Sequence, residues 1–157
     1  MTRDEMGALY DKFQQTVYRV ALAYCRNVQD AEDVTQDVFL KRFTLDRSFP
    51  DEGQEKAWLI RMTINRCKNL LKALKRRNAV PLEDAEGLCV TQEETDIWEA
   101  VAALPPKYRL CVQLYYGEGY SVAEIAAMTN RSETAVQTQL YRARKLLKDI
   151  LGEEVTP

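Results

Sequence analysis

Apolar residues recur at steps of three and four along almost the whole chain, and strict alternation is nearly absent, so the pattern predicts helices throughout. A first helix is expected over 6–26, with Leu9, Phe13, Val17, Val20, Leu22 and Tyr24 as a broad apolar face. Residues 27–30 read as a turn. A second helix follows over 30–43, with Ala31, Val34, Val38 and Phe39 as core candidates. Its first turn holds Asp30, Glu32 and Asp33 and its last Lys41 and Arg42, which suits the helix dipole. Pro50 and Gly53 mark 48–54 as a loop. A third long helix is expected over 57–77, its apolar side carrying Leu59, Ile60, Ile64, Cys67, Leu70, Leu71 and Leu74. Residues 78–95 contain Pro81, Gly87 and many acids with weak apolar periodicity, the composition of a linker. A short helix over 96–103 ends at Leu104-Pro105-Pro106, and another runs over 107–116. The expected class is all-α: two small helical domains, 1–77 and 96–152, joined by a flexible acidic linker at 78–95.

Residues 120–148 carry the sharpest local signal. Ser121 and Glu124 form a Ser-x-x-Glu capping box for a helix whose apolar side is Val122, Ile125 and Ala126. Met128-Thr129-Asn130 breaks that helix, and Asn tolerates the left-handed conformation a tight turn requires. Ser132 caps a second helix whose apolar stripe is Val136, Leu140, Ala143 and Leu147. At roughly 100° per residue, Thr134, Gln137, Thr138, Tyr141, Arg142 and Lys145 lie away from that stripe. This is the layout of a helix-turn-helix presenting polar side chains to a major groove. An ordinary helical hairpin with a solvated face has the same periodicity, so the rest of the chain must decide.

Composition narrows the function. The chain has 157 residues, 46% of them hydrophobic, which reads as soluble and globular. No apolar run approaches a membrane span, and the N-terminal MTRDEMGALYDKF lacks the apolar core of a signal peptide, so the expected location is cytoplasmic. There is no histidine. Cys25, Cys67, Cys89 and Cys111 are far apart among apolar neighbours and read as small core residues, not zinc ligands or nucleophiles. No P-loop or dinucleotide fingerprint is present, so neither an enzyme nor a cofactor or metal is expected. The net charge of −2 conceals strong segregation. Residues 56–77 carry eight Lys/Arg and no acid, whereas 78–104 carry seven Asp/Glu and no base. A phosphate footprint is local, so the basic block is what matters. Within it, Trp58, Arg61, Asn65, Lys68 or Asn69, and Lys72 form a polar strip opposite the apolar side, with Arg76 beyond. Trp58 either stacks on a base or packs into the core.

Three segments taken together resemble a bacterial RNA polymerase sigma factor of the extracytoplasmic-function group of the sigma-70 family. DAEDVTQDVFLKRF, 30–43, is similar to the group's polymerase-binding helix; AWLIRMTINRCKNLLKALKRR, 57–77, to its −10-reading helix; LPPKYRLCVQLYYGEGYSVAEIAAMTNRSETAVQTQLYRARKLL, 104–147, to its −35 domain. The resemblance implies that 1–77 is region 2 and 96–152 is region 4. It implies that Asp33, Gln36, Asp37, Leu40 and Lys41 meet the clamp helices of the polymerase largest subunit, with the flap as a further contact. It implies that Trp58, Arg61, Asn65, Lys68, Asn69, Lys72 and Arg76, with the loop 49–55, hold an unpaired −10 base. Thr134, Gln137, Thr138, Tyr141, Arg142 and Lys145 would then face the −35 element. An anti-sigma partner, often membrane-anchored, is also implied. The chain departs from the group's pattern at Asn130, where glycine is usual, at Arg131, usually apolar, and at Gln137 and Gln139, often Lys or Arg. Gln suits adenine in the major groove, which points to a different base preference. Two rival readings are a helix-turn-helix regulator acting without polymerase, which predicts a dimer on a palindromic site, and an adapter that binds protein only.

Overall fold

The computed structural model describes residues 1–77 and 97–152, and every regular element in them is helical. The chain divides into two compact units, Met1–Ala73 and Leu74–Pro157. The expected linker at 78–95, together with Cys89 and Asp96, lies outside the described residues.

In the first unit, α1 runs over Arg3–Cys25 and α2 over Val28–Thr44, packed on each other, and α3 starts at Glu52 and runs to Arg76. Helix α1 begins three residues earlier than its apolar pattern suggests, because Thr2 caps it. The Glu5 N–H donates to Thr2 Oγ1 (3.1 Å) and the Thr2 N–H to Glu5 Oε1 (2.8 Å). Those bonds with Thr2 hold the Glu5 carboxyl below its usual range. The expected turn at 27–30 shrinks to two residues: Arg26 takes a left-handed φ of 51°, and Asn27 Oδ1 caps α2 by accepting the Asp30 N–H at 2.9 Å. Most predicted apolar positions go inside: Phe13, Val17 and Val20 of α1, Ala31, Val34, Val38 and Phe39 of α2, and Leu59, Ile60 and Ile64 of α3 are buried, whereas Leu22 of α1 and Leu70, Leu71 and Leu74 toward the end of α3 are half-buried. Buried hydroxyls find partners on their own helices, Thr35 donating to the Ala31 carbonyl and Thr63 to that of Leu59, both at 2.7 Å. Lys12 of α1 pairs with Glu52 of α3 at the surface. Cys25 and Cys67 are buried and unbonded covalently. Hydrogen bonding with Cys25, and burial, push the Cys67 thiol far above the ordinary range.

Helix α3 departs most from expectation. Its apolar stripe starts at Leu59, but the helix begins at Glu52, inside the stretch expected to be a loop. Asp51 starts it: the Gln54 N–H donates to Asp51 Oδ1 (2.8 Å) and the Glu55 N–H to the Asp51 carbonyl (3.2 Å). Acidic Glu52 and Glu55 then suit the positive helix N-terminus. The loop expected to hold an unpaired base is correspondingly shorter, since 52–55 are helical.

The second unit comprises α4 (Ile97–Ala102), α5 (Pro106–Val112), a π-helical turn (Gln113–Gly117), α6 (Val122–Thr129) and α7 (Glu133–Leu151). Ala100, Val101, Leu104, Val112, Ala143 and Leu147 form its core, with Tyr108, Leu146, Ile150 and Leu151 packed around them. Buried Arg109 donates from Nη1 to the Leu104 carbonyl at 2.5 Å, satisfying an acceptor just before two prolines that have no N–H. No helix among the described residues is long and apolar enough to cross a membrane.

Candidate nucleic-acid interface

Helices α6 and α7 meet at a turn whose every step has a local cause. Ser121 Oγ accepts the Glu124 N–H at 3.1 Å, and the Ser121 N–H donates to Glu124 Oε1 at 2.9 Å. These bonds with Ser121 hold the Glu124 carboxyl below its usual range. Asn130 takes φ 56°, ψ 48°, and the Arg131 N–H donates to the Ala126 carbonyl at 2.9 Å. Ser132 Oγ then accepts the Ala135 N–H at 3.0 Å and opens α7. Val136, Leu140, Ala143 and Leu147 are buried. Burying that row turns Thr134, Gln137, Tyr141, Arg142 and Lys145 outward, exposed, with Thr138 half-buried. Tyr141 keeps 58% of its surface despite its size, and Lys145 Nζ lies 5.8 Å from its ring centroid. Gln139 points elsewhere: its Oε1 accepts the Cys111 thiol at 2.9 Å, fastening α7 to α5. Burial pushes Cys111 up to about 11. Burial, with the Glu118 and Glu124 carboxylates nearby, pushes Tyr120 up to about 12.

On α3, Arg61, Asn65, Lys68, Asn69, Lys72 and Arg76 are all exposed. Trp58 is half-buried and packs on Phe49 of the preceding loop, ring centroids 5.9 Å apart. Two guanidinium groups flank Phe49, Arg42 at 5.1 Å and Arg47 at 4.7 Å. Arg42 is buried and donates to Glu55 Oε2 at 2.6 Å, which ties the end of α2 to the start of α3 and shapes the loop between them. Neither this role of Arg42 nor the aromatic contact of Phe49 is legible in the sequence, because both depend on side chains brought together across the loop.

On α2, Asp33, Gln36, Leu40 and Lys41 are exposed and Asp37 is half-buried. Leu40 shows 62% of its surface, unusual for an apolar side chain one position beyond buried Phe39. Asp37 also pairs with Arg66 of α3, at 2.8 Å from Nη2 and 2.9 Å from Nε. A cleft of about 280 Å³ lies beside that pair, lined by Asp37, Lys41, Met62, Asn65, Arg66 and Asn69 among others. Residues expected to meet polymerase and residues expected to meet DNA therefore share its walls.

These features match known proteins along most of the chain. Residues 9–77 match the model for sigma-70 region 2, and 94–147 that for sigma-70 region 4. The chain is 31% identical to the ECF RNA polymerase sigma factor SigM of Mycobacterium tuberculosis, over 92% of this chain and 76% of that one. The chain belongs to the sigma-70 family, in its extracytoplasmic-function group. It is also 29% identical to the RNA polymerase sigma factor SigV of Bacillus subtilis, over 90% of this chain and 87% of the relative. Its fold is that of the sigma factor RpoE of Bartonella quintana, solved with the anti-sigma factor NepR: TM-score 0.74, 20% identity, covering 96% of this chain and 99% of that one. CnrH, solved with the cytosolic domain of CnrY, has the same fold at TM-score 0.67 and 24% identity, covering 98% of this chain and 92% of that one. As a sigma factor the chain binds core RNA polymerase and directs promoter-specific initiation, and it is not itself an enzyme.

Proposed function

We propose a division of labour within this sigma factor, with 1–77 as region 2, 78–95 as linker and 96–152 as region 4. Asp33, Gln36, Asp37, Leu40 and Lys41 on α2 dock on the polymerase clamp helices. An exposed leucine within a mixed polar surface suits a protein contact. Trp58, Arg61, Asn65, Lys68, Asn69, Lys72 and Arg76 follow the −10 strand, the cations on phosphates and Asn65 on a base edge. Thr134, Gln137, Thr138, Tyr141, Arg142 and Lys145 enter the −35 major groove. The observation that carries this reading is the outward row on α7, exposed because a regular buried row lies beneath it. Each unit binds weakly alone, and the linker raises the effective concentration of the second contact once the first is made. The action is cytoplasmic, where polymerase and promoter are. An anti-sigma factor, the kind of partner solved with the sigma factor RpoE of the same fold, holds the chain inactive on the same apolar and acidic surfaces.

Runoff transcription with bacterial core polymerase on a library of promoter fragments tests this directly. New transcripts should share −35 and −10 sequences upstream of their starts. Arg142→Ala should relax selection at the first element and Asn65→Ala at the second. Transcripts whose upstream sequences ignore both substitutions would defeat the assignment.

A further inference from the structure

The outward row on α7 has a neighbour that its sequence pattern alone does not single out. Gln137, Tyr141, Arg144 and Lys148 recur at steps of four, three and four, so they share one edge of the helix. Arg144 on that edge donates from Nε to the Tyr116 hydroxyl at 2.8 Å, and its guanidinium carbon lies 5.8 Å from the Tyr116 ring centroid. Tyr116 is 49% exposed and braced edge-on by Tyr115, centroids 4.9 Å apart.

Tyr116 reaches α7 because of the π turn. One extra residue in a helical turn rotates the residues after it by roughly 100° relative to the regular register. The turn is held by backbone bonds from Glu118 N–H to the Gln113 carbonyl (2.9 Å) and from Tyr120 N–H to the Leu114 carbonyl (3.0 Å). Gln113 Nε2 also donates to Glu118 Oε2 at 2.8 Å. A side chain at Gly117 would meet Gln113 at 2.5 Å, so glycine keeps that bridge in place.

We infer that Tyr116 and Arg144 form a phosphate clamp beside the recognition helix, an assignment that rests on α7 reading the −35 element. Tyr116 holds the guanidinium by Nε, and the two Nη groups take a backbone phosphate flanking the base contacts. The chemistry of the partner matters. A carboxylate at Tyr116 would orient Arg144 but cancel its charge, whereas a phenol orients it and leaves the charge for DNA. A guanidinium held through Nε keeps its two Nη groups for a phosphate, the fork that binds it bidentately. Tyr116 is a positioning residue, and Arg144 makes the contact.

The test uses reconstituted holoenzyme and a duplex promoter fragment recovered by the runoff screen, with affinity measured from about 50 to about 200 mM salt. One phosphate contact contributes about 0.9 to the slope of log affinity against log salt, so across that range Arg144→Gln should lose about 3.5-fold less affinity than wild type. Its preferred −35 sequence should not change. Arg144→Lys should keep the slope, and Tyr116→Phe should lower affinity at every salt concentration with the slope intact. Gln137→Ala serves as the base-reading control. If it shifts sequence preference while Arg144→Gln keeps the wild-type slope, the clamp is wrong and the −35 reading stands. If Gln137→Ala and Arg142→Ala also change nothing, the −35 reading falls and takes the clamp with it. Should Arg144→Gln fail to fold, as judged by its melting curve, Tyr116→Phe decides, and unchanged affinity overturns the clamp.

Discussion

Asn130 stands at the one residue of the helix-turn-helix that must adopt a left-handed backbone, φ 56°. A side chain with a Cβ costs about 1–2 kcal/mol there, and Asn offsets part of that by local hydrogen bonding. Asn130→Ala should therefore destabilise the second unit by about 1 kcal/mol, and Asn130→Gly should not; thermal melts of the two variants compare them directly. Cys111 and Tyr120 give the same unit a pH signature. Both are acids that are neutral when protonated, and burial raises both, to about 11 and about 12. At a pH above the ordinary values of 9.0 and 10.0 the unfolded chain ionises while the fold still holds the protons. The unfolded state then binds fewer protons, so stability falls as pH rises through that window and is fully present below it. Denaturant midpoints of Cys111→Ala and Tyr120→Phe should each fall less steeply with alkaline pH than those of wild type. Curves parallel to wild type would show that neither group is shielded as described.

Each helix divides its residues between fold and function by register, so substitutions one position apart should have opposite consequences. Leu140 is 2% exposed and Tyr141 58%. Leu140→Ala should cost about 2–5 kcal/mol of stability by leaving a cavity. Tyr141→Ala should leave the melting temperature nearly unchanged and reduce −35-dependent transcription. Loss of stability of similar size in both would mean that Tyr141 packs and does not read DNA. The same register explains what was legible in the sequence. Ser121, Glu124 and Ser132 act within three residues, and Val136, Leu140, Ala143 and Leu147 repeat at helical spacing, so caps, turn and buried stripe could all be read. The start of α3 could not, because Glu52, Gly53, Gln54 and Glu55 carry no apolar rhythm and Gly53 imitates a loop. The π turn escaped for a similar reason, since one inserted residue shifts the register without altering composition. Pairs such as Asp37 with Arg66 and Tyr116 with Arg144 join residues 29 and 28 apart, which no local pattern encodes. A polar helix face is legible from spacing alone, whereas the half-burial of Trp58 and Thr138, the cleft beside Asp37 and the side-chain pairs depend on three dimensions.

At the scale of the whole chain, charge segregation sets the behaviour. A net charge of −2 would repel DNA if it were spread evenly, yet 56–77 carry eight positive charges with no acid among them. The acids that balance the total are concentrated just beyond, with Glu83, Asp84 and Glu86 six to nine residues after Arg77. Chain connectivity alone limits their distance. Six residues span at most about 22 Å when fully extended, which is the upper limit on the distance between Arg77 and Glu83. The screening length is about 10 Å at 0.1 M salt and about 30 Å at 0.01 M, so the acids weaken the attraction of α3 for phosphate mainly at low ionic strength. On the proposed assignment the polymerase complex holds both promoter elements at once, and those contacts oppose this repulsion. In the free chain nothing does, so the linker should suppress binding to arbitrary DNA. Replacing Glu83, Asp84, Glu86, Glu93 and Glu94 by their amides should raise the free chain's affinity for a non-promoter duplex several-fold at about 0.02 M salt and hardly at all at about 0.3 M, where the screening length falls to about 6 Å. The effect on promoter-specific transcription by holoenzyme should be much smaller. Fluorescence anisotropy at the two salt concentrations separates this from a general change in fold, which would not vanish with salt. Equal affinities of the two chains at low salt would show that the acidic run plays no part in keeping the free sigma factor off DNA.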